Sequence, residues 1–254
     1  MSDETSRADQ LRGFRVEAGS LSALTLTLRH AVTEQEVTIV ALPAAAPPNH
    51  WQATNAVIDR LTAAGARHLR ERDELADDAL HGTARRRQLR VQRFEAARGE
   101  ILLSRGWVTD RNGLGNRDHA VHDVSTTEKL RRRRGVTGRL STSSFAAGLL
   151  RALLDTAISD QPELVALPGI FHQLEATTSG ACRRVEAIVA GVTTSDDDVV
   201  LAIEGAMVDH LEEHLVDEGY EVTTEAWRHI AWSRKKPRGG RTVPALGRIA
   251  AVPT

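Results

Sequence analysis

The 254-residue chain is 41% apolar and 26% charged with a formal net charge of −1, a balance that excludes disordered, fibrous and strongly polyionic classes. Aromatics make up only 4%, so Leu, Val, Ile and Ala must fill the core. Cys182 is the only cysteine, which rules out an intrachain disulfide or a cysteine-based zinc knuckle and fits a reducing, cytoplasmic setting.

Residues 1–13 read as a mobile polar leader: MSDETSRADQLRG places acids before any apolar run, the opposite of a secretory signal. No stretch is apolar for long enough to span a bilayer, so no membrane partner is expected. From residue 14 to 241 the sequence reads as a single α+β domain, followed by a tail over 242–254. Its first signal is strict alternation, Leu24, Leu26 and Leu28 and then Val37, Ile39 and Ala41, on either side of the polar turn Thr33-Glu34-Gln35. Alternation of period two is the pattern of strands, and the pair reads as a β-hairpin near the N-terminus. Pro43, Pro47 and Pro48 end it, since proline cannot donate to a sheet ladder.

The period then changes. Val57, Ile58, Leu61, Leu69, Leu75 and Leu80 recur near helical spacing, and a second run carries Leu89, Phe94, Ile101 and Leu102. With Asn49 and Thr83 as N-caps and Gly82 as a stop, the spacing predicts a helical hairpin at the start of a mainly helical middle over 49–190. Beyond the acidic turn Ser195–Asp198, VVLAIEG, AMVDHLEEHLVDEG and YEVTTEAWRHIAWSR read as strand, helix and strand. The fold class expected is therefore α+β, with strands from both ends of the chain around a helical middle.

His210-Leu211-Glu212-Glu213-His214 has the H-x-x-E-H order of an inverted zinc-peptidase motif. On a helix the two histidines share a face, as paired metal ligands must, and Glu213 stands where a general base could activate a metal-bound water. With Gly219 soon after, these residues resemble the insulinase-type metallopeptidases. The resemblance implies a metal-dependent hydrolase with His210 and His214 as ligands and Glu213 as base. That family's third ligand is a glutamate well downstream, whereas Glu218, Glu221 and Glu225 all lie close by. A third ligand would have to come from afar, with His119, His122 and Asp123 as candidates. Arg117 and His122 also resemble the R-x(4–6)-H ribonuclease motif of the HEPN families, set here in a loop rich in Gly and Asn.

Among 33 basic residues only Lys129, Lys235 and Lys236 are lysines, an arginine bias that a GC-rich, bacterial-like genome produces unaided. Where the arginines cluster is more informative. One run spans Arg85, Arg86, Arg87, Arg90 and Arg93, a second Arg131, Arg132, Arg133, Arg134 and Arg139, and a third Arg234, Lys235, Lys236, Arg238 and Arg241. Trp227 and Trp232 precede the third. Cationic groups that release counterions and rings that can stack on bases are the components of a nucleic-acid surface. Acids such as Glu95, Glu100 and Glu128 lie near the inner runs, while the segment from Arg228 to Thr254 contains neither Asp nor Glu. Walker A, G-x-G-x-x-G, G-x-S-x-G and paired C-x-x-C motifs are absent, and no cofactor is expected. The sequence therefore points first to a non-enzymatic cytosolic protein that binds nucleic acid or a protein assembly through arginine-rich surfaces. A metal-dependent hydrolase is the alternative.

Overall fold

The computed structural model describes residues 12–17, 20–70, 99–115, 120–121 and 179–232, with isolated positions 82, 85, 86, 89 and 96. In chain order the elements are β1 (Phe14–Glu17), β2 (Ser20–His30), β3 (Glu36–Leu42), β4 (Ala45–Ala46), α1 (Pro48–Ala63) and β5 (Arg67–Arg70). There follow β6 (Val108–Thr109), α2 (Asp110–Gly113), β7 (Ala120–Val121), α3 (Ser179–Thr193), β8 (Val199–Glu204), α4 (Val208–Asp217) and β9 (Tyr220–Trp232). The described part is α+β in content, with N-terminal strands and a C-terminal strand–helix–strand unit.

The alternating leucines do form a hairpin. β2 pairs antiparallel with β3 from Thr25↔Val40 to Arg29↔Glu36, and Glu34 turns the chain with φ 61°. β3 then lies parallel to β8, β8 parallel to β5, and β5 parallel to β7. On the far edge of β2, β9 runs antiparallel along its whole length, from Ser20↔Trp232 to His30↔Tyr220. β1 pairs with the start of β2, on the edge that β3 occupies further along. Among the described strands of this sheet, β2 alone runs against the others.

Two crossovers cover the two faces of the sheet. The connection β3–α1–β5 passes β8 in one direction, and β8–α4–β9 passes β3 and β2 in the other. Crossovers of one hand that move in opposite directions must lie on opposite faces. Leu24, Leu26, Leu28, Val37, Ile39, Leu201 and Ile203 pack with Val185, Ile188 and Val192 of α3 and Leu211 and Leu215 of α4. Ala23, Val40, Leu42, Val200 and Ala202 point the other way, toward Trp51 and Ile58 of α1, with Leu102, Trp107 and Leu114. Burial on both faces explains why β8 reads as an apolar run rather than as an alternation. Each fully buried Leu or Ile contributes roughly 1.5–3 kcal/mol.

Three boundaries differ from the sequence reading. Arg12 and Gly13, assigned there to the leader, belong to the folded part: Gly13 accepts a hydrogen bond from the amide of Leu24. A side chain at Gly205 would collide with the ring of Phe14, so this crossing of chain segments requires glycine. α1 begins at Pro48 with Pro47 in the cap position rather than at an Asn49 cap. It also ends at Ala63, because Gly65 takes a φ of +106°, and the run that seemed to continue through Leu69 turns into strand β5. Leu75, Leu80, Thr83 and Phe94 lie outside the described residues.

Candidate functional site

The H-x-x-E-H stretch sits on α4, as expected. Val208, Leu211 and Leu215 make its buried row, His210 and His214 are half-buried one turn apart, and Glu213 is exposed. Glu212 is engaged elsewhere: Arg12 Nε and Nη2 donate to its two carboxylate oxygens at 2.9 and 3.2 Å. Asp209, desolvated and next to Glu212, has its carboxyl raised above the usual range. Among the described residues no group of three or more His, Cys, Asp or Glu side chains is placed to hold a metal ion. Arg117, His119, His122 and Asp123 lie outside those residues.

The basic runs divide in the same way. Arg85 and Arg86 are exposed, whereas Arg131, Arg132, Arg133, Arg134, Arg234, Lys235, Lys236, Arg238 and Arg241 lie outside the described residues. Trp232 closes β9, its backbone paired with Ser20. Trp227 is not a free stacking platform: it packs against the core on the α4 side, and the Arg15 guanidinium lies 5.8 Å from its ring centroid.

Four of the described arginines, Arg12, Arg15, Arg29 and Arg184, have an acid close by. Arg12 bonds Glu212 and Glu225, which together raise its pKa further above the ordinary value. Arg15 pairs with Glu17 at 2.7 Å and Arg29 with Glu34 at 3.1 Å. Arg184 of α3 loses basicity on burial, and the charge of Glu204 opposes that loss.

Arg228 is different. It sits on β9 opposite Ala23, two residues before Ile230, and both Ala23 and Ile230 belong to the core beneath α1. Its side chain is therefore on the α1 face. None of its three guanidinium nitrogens has a hydrogen-bond partner, and all are closed to solvent. Burial alone pushes its pKa down to about 10. His50, in the first turn of α1, lies close enough for the charge of Arg228 to act on it, and burial lowers its pKa to about 4. Its Nδ1 is 3.1 Å from the carbonyl oxygen of His229. A carbonyl only accepts, so Nδ1 carries the hydrogen and Nε2 presents a lone pair. That Nε2 also has no partner, nor do Oγ1 of Thr54 and Oγ1 of Thr25.

The sequence reading missed this cluster. Arg228 opens the acid-free segment that runs to Thr254, yet it lies inside the strand pattern YEVTTEAWRHIAWSR two residues before Ile230, and that placement was the available signal. A polar cleft of about 240 Å³ lies at another end of the sheet, lined by residues including His30, Gln35, Asp196, Glu218 and Tyr220. Its buried groups are satisfied: Gln35 Nε2 donates to the carbonyls of Ser195 and Asp197 at 2.8 and 2.7 Å, and the Tyr220 hydroxyl donates to Gln35 Oε1. This network ties the hairpin turn to the α3–β8 turn and to the start of β9.

Comparison with protein-family models, with curated proteins and with solved structures finds no match to this chain. Among the described residues no helix is long and apolar enough to cross a membrane.

Proposed function

We propose that the chain is a non-enzymatic, cytosolic binding protein that contacts nucleic acid through its basic C-terminal segment, with Arg234, Lys235, Lys236, Arg238 and Arg241 as the principal cations and Arg131–Arg134 as a second contact run. The observation that carries this reading is the position of Glu225. It is the last acid of the chain, and Arg12 already holds it. The cations beyond β9 thus follow a strand whose final carboxylate is occupied, which favours an external polyanion as their partner. Arg228, turned inward, is not one of them.

Titration of a labelled oligonucleotide at several salt concentrations tests this. Deletion of residues 233–241 should weaken binding and flatten the slope of log affinity against log salt by roughly 0.7–0.9 for each phosphate no longer neutralised. No binding at low salt by either form would discard the nucleic-acid reading. A protein assembly is the second partner class, favoured by β9: among the described strands it bonds only to β2, and its residues 221–226 are exposed. An edge of that kind can accept another chain. Binding to protein would show a shallow salt response and survive the tail deletion.

The metal-dependent hydrolase alternative rests on His210 and His214 sharing a half-buried turn of α4 beside Glu213. About one zinc per chain by elemental analysis, lost on replacing both histidines with alanine, would put it ahead of the binding reading.

A further inference from the structure

Arginines in folded proteins ordinarily lay the carbon stem on apolar surface and keep the guanidinium in water. Arg228 inverts this. The residue as a whole is half-buried, while Nε, Nη1 and Nη2 are all closed off without a partner. A desolvated cation with neither carboxylate nor hydrogen bonds is among the costliest arrangements a fold can contain. Around it lie further unpartnered groups. His50 is 1% exposed and Thr54 is 0%, and four residues apart on α1 they form one row facing the sheet. Thr25 is the next residue after Ala23 on the same face of β2, diagonal to Arg228.

The polarity of the set selects a ligand. Arg228 offers a fork of N–H donors suited to two oxygens of an oxyanion. The threonine hydroxyls add donors of adjustable direction. His50 Nε2 does the reverse and asks for a hydrogen. Carboxylate and sulfate at neutral pH supply acceptors only, whereas a hydrogen phosphate group supplies acceptors and a P–O–H donor. We propose that Arg228, His50, Thr54 and Thr25 form a binding site for a hydrogen phosphate group, as the free anion or as the monoanion of a terminal phosphomonoester. Arg228 supplies the charge, and His50 Nε2 accepts the P–O–H hydrogen. Thr224 and Ala226, which share the face of β9 with Arg228, are exposed, so an anion reaches the Arg228 head along that end of the strand. The site does not depend on the basic tail, so it stands or falls separately from the nucleic-acid reading.

Calorimetric titration of the full chain in phosphate-free buffer tests the proposal, with inorganic phosphate and sulfate as probes. Phosphate should bind about tenfold or more tightly than sulfate, because a site that accepts a ligand's hydrogen rejects an analogue lacking it. His50→Asn retains an N–H for the His229 carbonyl but removes the outer acceptor, and it should bring the two affinities together. Arg228→Met should abolish saturable binding of both. Should that variant fold poorly, Thr54→Val should weaken phosphate while leaving the phosphate-to-sulfate ratio unchanged. Displacement of bound phosphate by a 5′-phosphorylated oligonucleotide near pH 6, where about half of the terminal phosphates keep their P–O–H, would identify a phosphomonoester as a source, and no displacement would leave the free anion. Displacement by the 5′-hydroxyl strand, whose phosphodiesters carry no P–O–H, would overturn the proposal. So would equal phosphate and sulfate affinities in the unaltered protein, or unchanged binding in Arg228→Met.

Discussion

The two faces of the sheet are built to different standards of completeness. On the α3–α4 side, aliphatic residues from β2, β3 and β8 meet two helices, and the adjoining polar residues Gln35 and Tyr220 bond each other and backbone carbonyls. On the α1 side, Thr25, His50, Thr54 and Arg228 retain buried atoms without partners. Even the buried arginines differ, since Arg184 of α3 feels the charge of Glu204 and Arg228 feels no opposing charge. The closed Gln35–Tyr220 network holds the hairpin turn, the α3–β8 turn and the start of β9 together. A face that leaves its polar groups open in one patch, beside well-packed Trp51 and Ile58, marks where the fold departs from its own rule.

The largest effect should come from the complete face. Leu201→Ala, at 1% exposure in the central strand, should destabilise by about 3–4 kcal/mol in urea or thermal unfolding, from forfeited transfer energy plus the cavity left behind. A cost below about 1 kcal/mol would mean that this core is loosely packed. The next effect is pH-dependent and belongs to the other face. The folded pKa of His50, about 4, lies below the ordinary 6.5, so between these values the unfolded chain binds more protons than the folded one. Stability should rise with pH through that window, be fully present above it, and fall on acidification by about 2–3 kcal/mol from this group. His50→Asn should flatten that part of the profile, and an unchanged profile would show that the imidazole is not buried neutral.

Arg228→Met tests the same patch with the opposite sign. Removing an uncompensated buried charge while keeping its volume should stabilise the anion-free protein by about 1–3 kcal/mol. A destabilised variant would indicate that the charge has a partner. The smallest effect expected is that of Arg12→Ala. Its side chain is 29% exposed, so screening leaves each ion pair worth no more than about 1 kcal/mol. A loss well above that would make the Arg12–Glu212–Glu225 bridge a main fastening of the N-terminal segment.

The legible parts of the fold were those with an undiluted period. Leu24, Leu26 and Leu28 alternate because their neighbours are threonines, and α4 shows because Val208, Leu211 and Leu215 fall on one row of an otherwise charged helix. β5 escaped because Leu69 continues the spacing of Ile58 and Leu61 and because its other residues are arginine and histidine; only its place beside β8 makes it a strand. β1 is too short for periodicity to register. At the candidate sites, the sequence located α4 and its histidines but could not show which way Arg228 points. Exposure of a charged residue is a default that holds until tertiary packing overrules it, and here β2 and α1 do so together. His50 and Thr54, polar residues four apart on the row of α1 that also holds Ile58, carried the trace of that patch.

The reversed direction of β2 has a consequence for how the protein is made. Its hairpin with β3 can close as soon as residue 42 is available, yet both outer edges of that hairpin are completed by strands from the far end of the sequence, β8 and β9. During synthesis the nascent chain must carry a ribbon of leucines with two unpaired edges until residues 199–232 have left the ribosome. Such pairings of high sequence separation form late and expose aggregation-prone edges meanwhile. Translational pausing before β8 should therefore favour misassembly, and holding factors that bind extended apolar strands should raise the yield of folded protein.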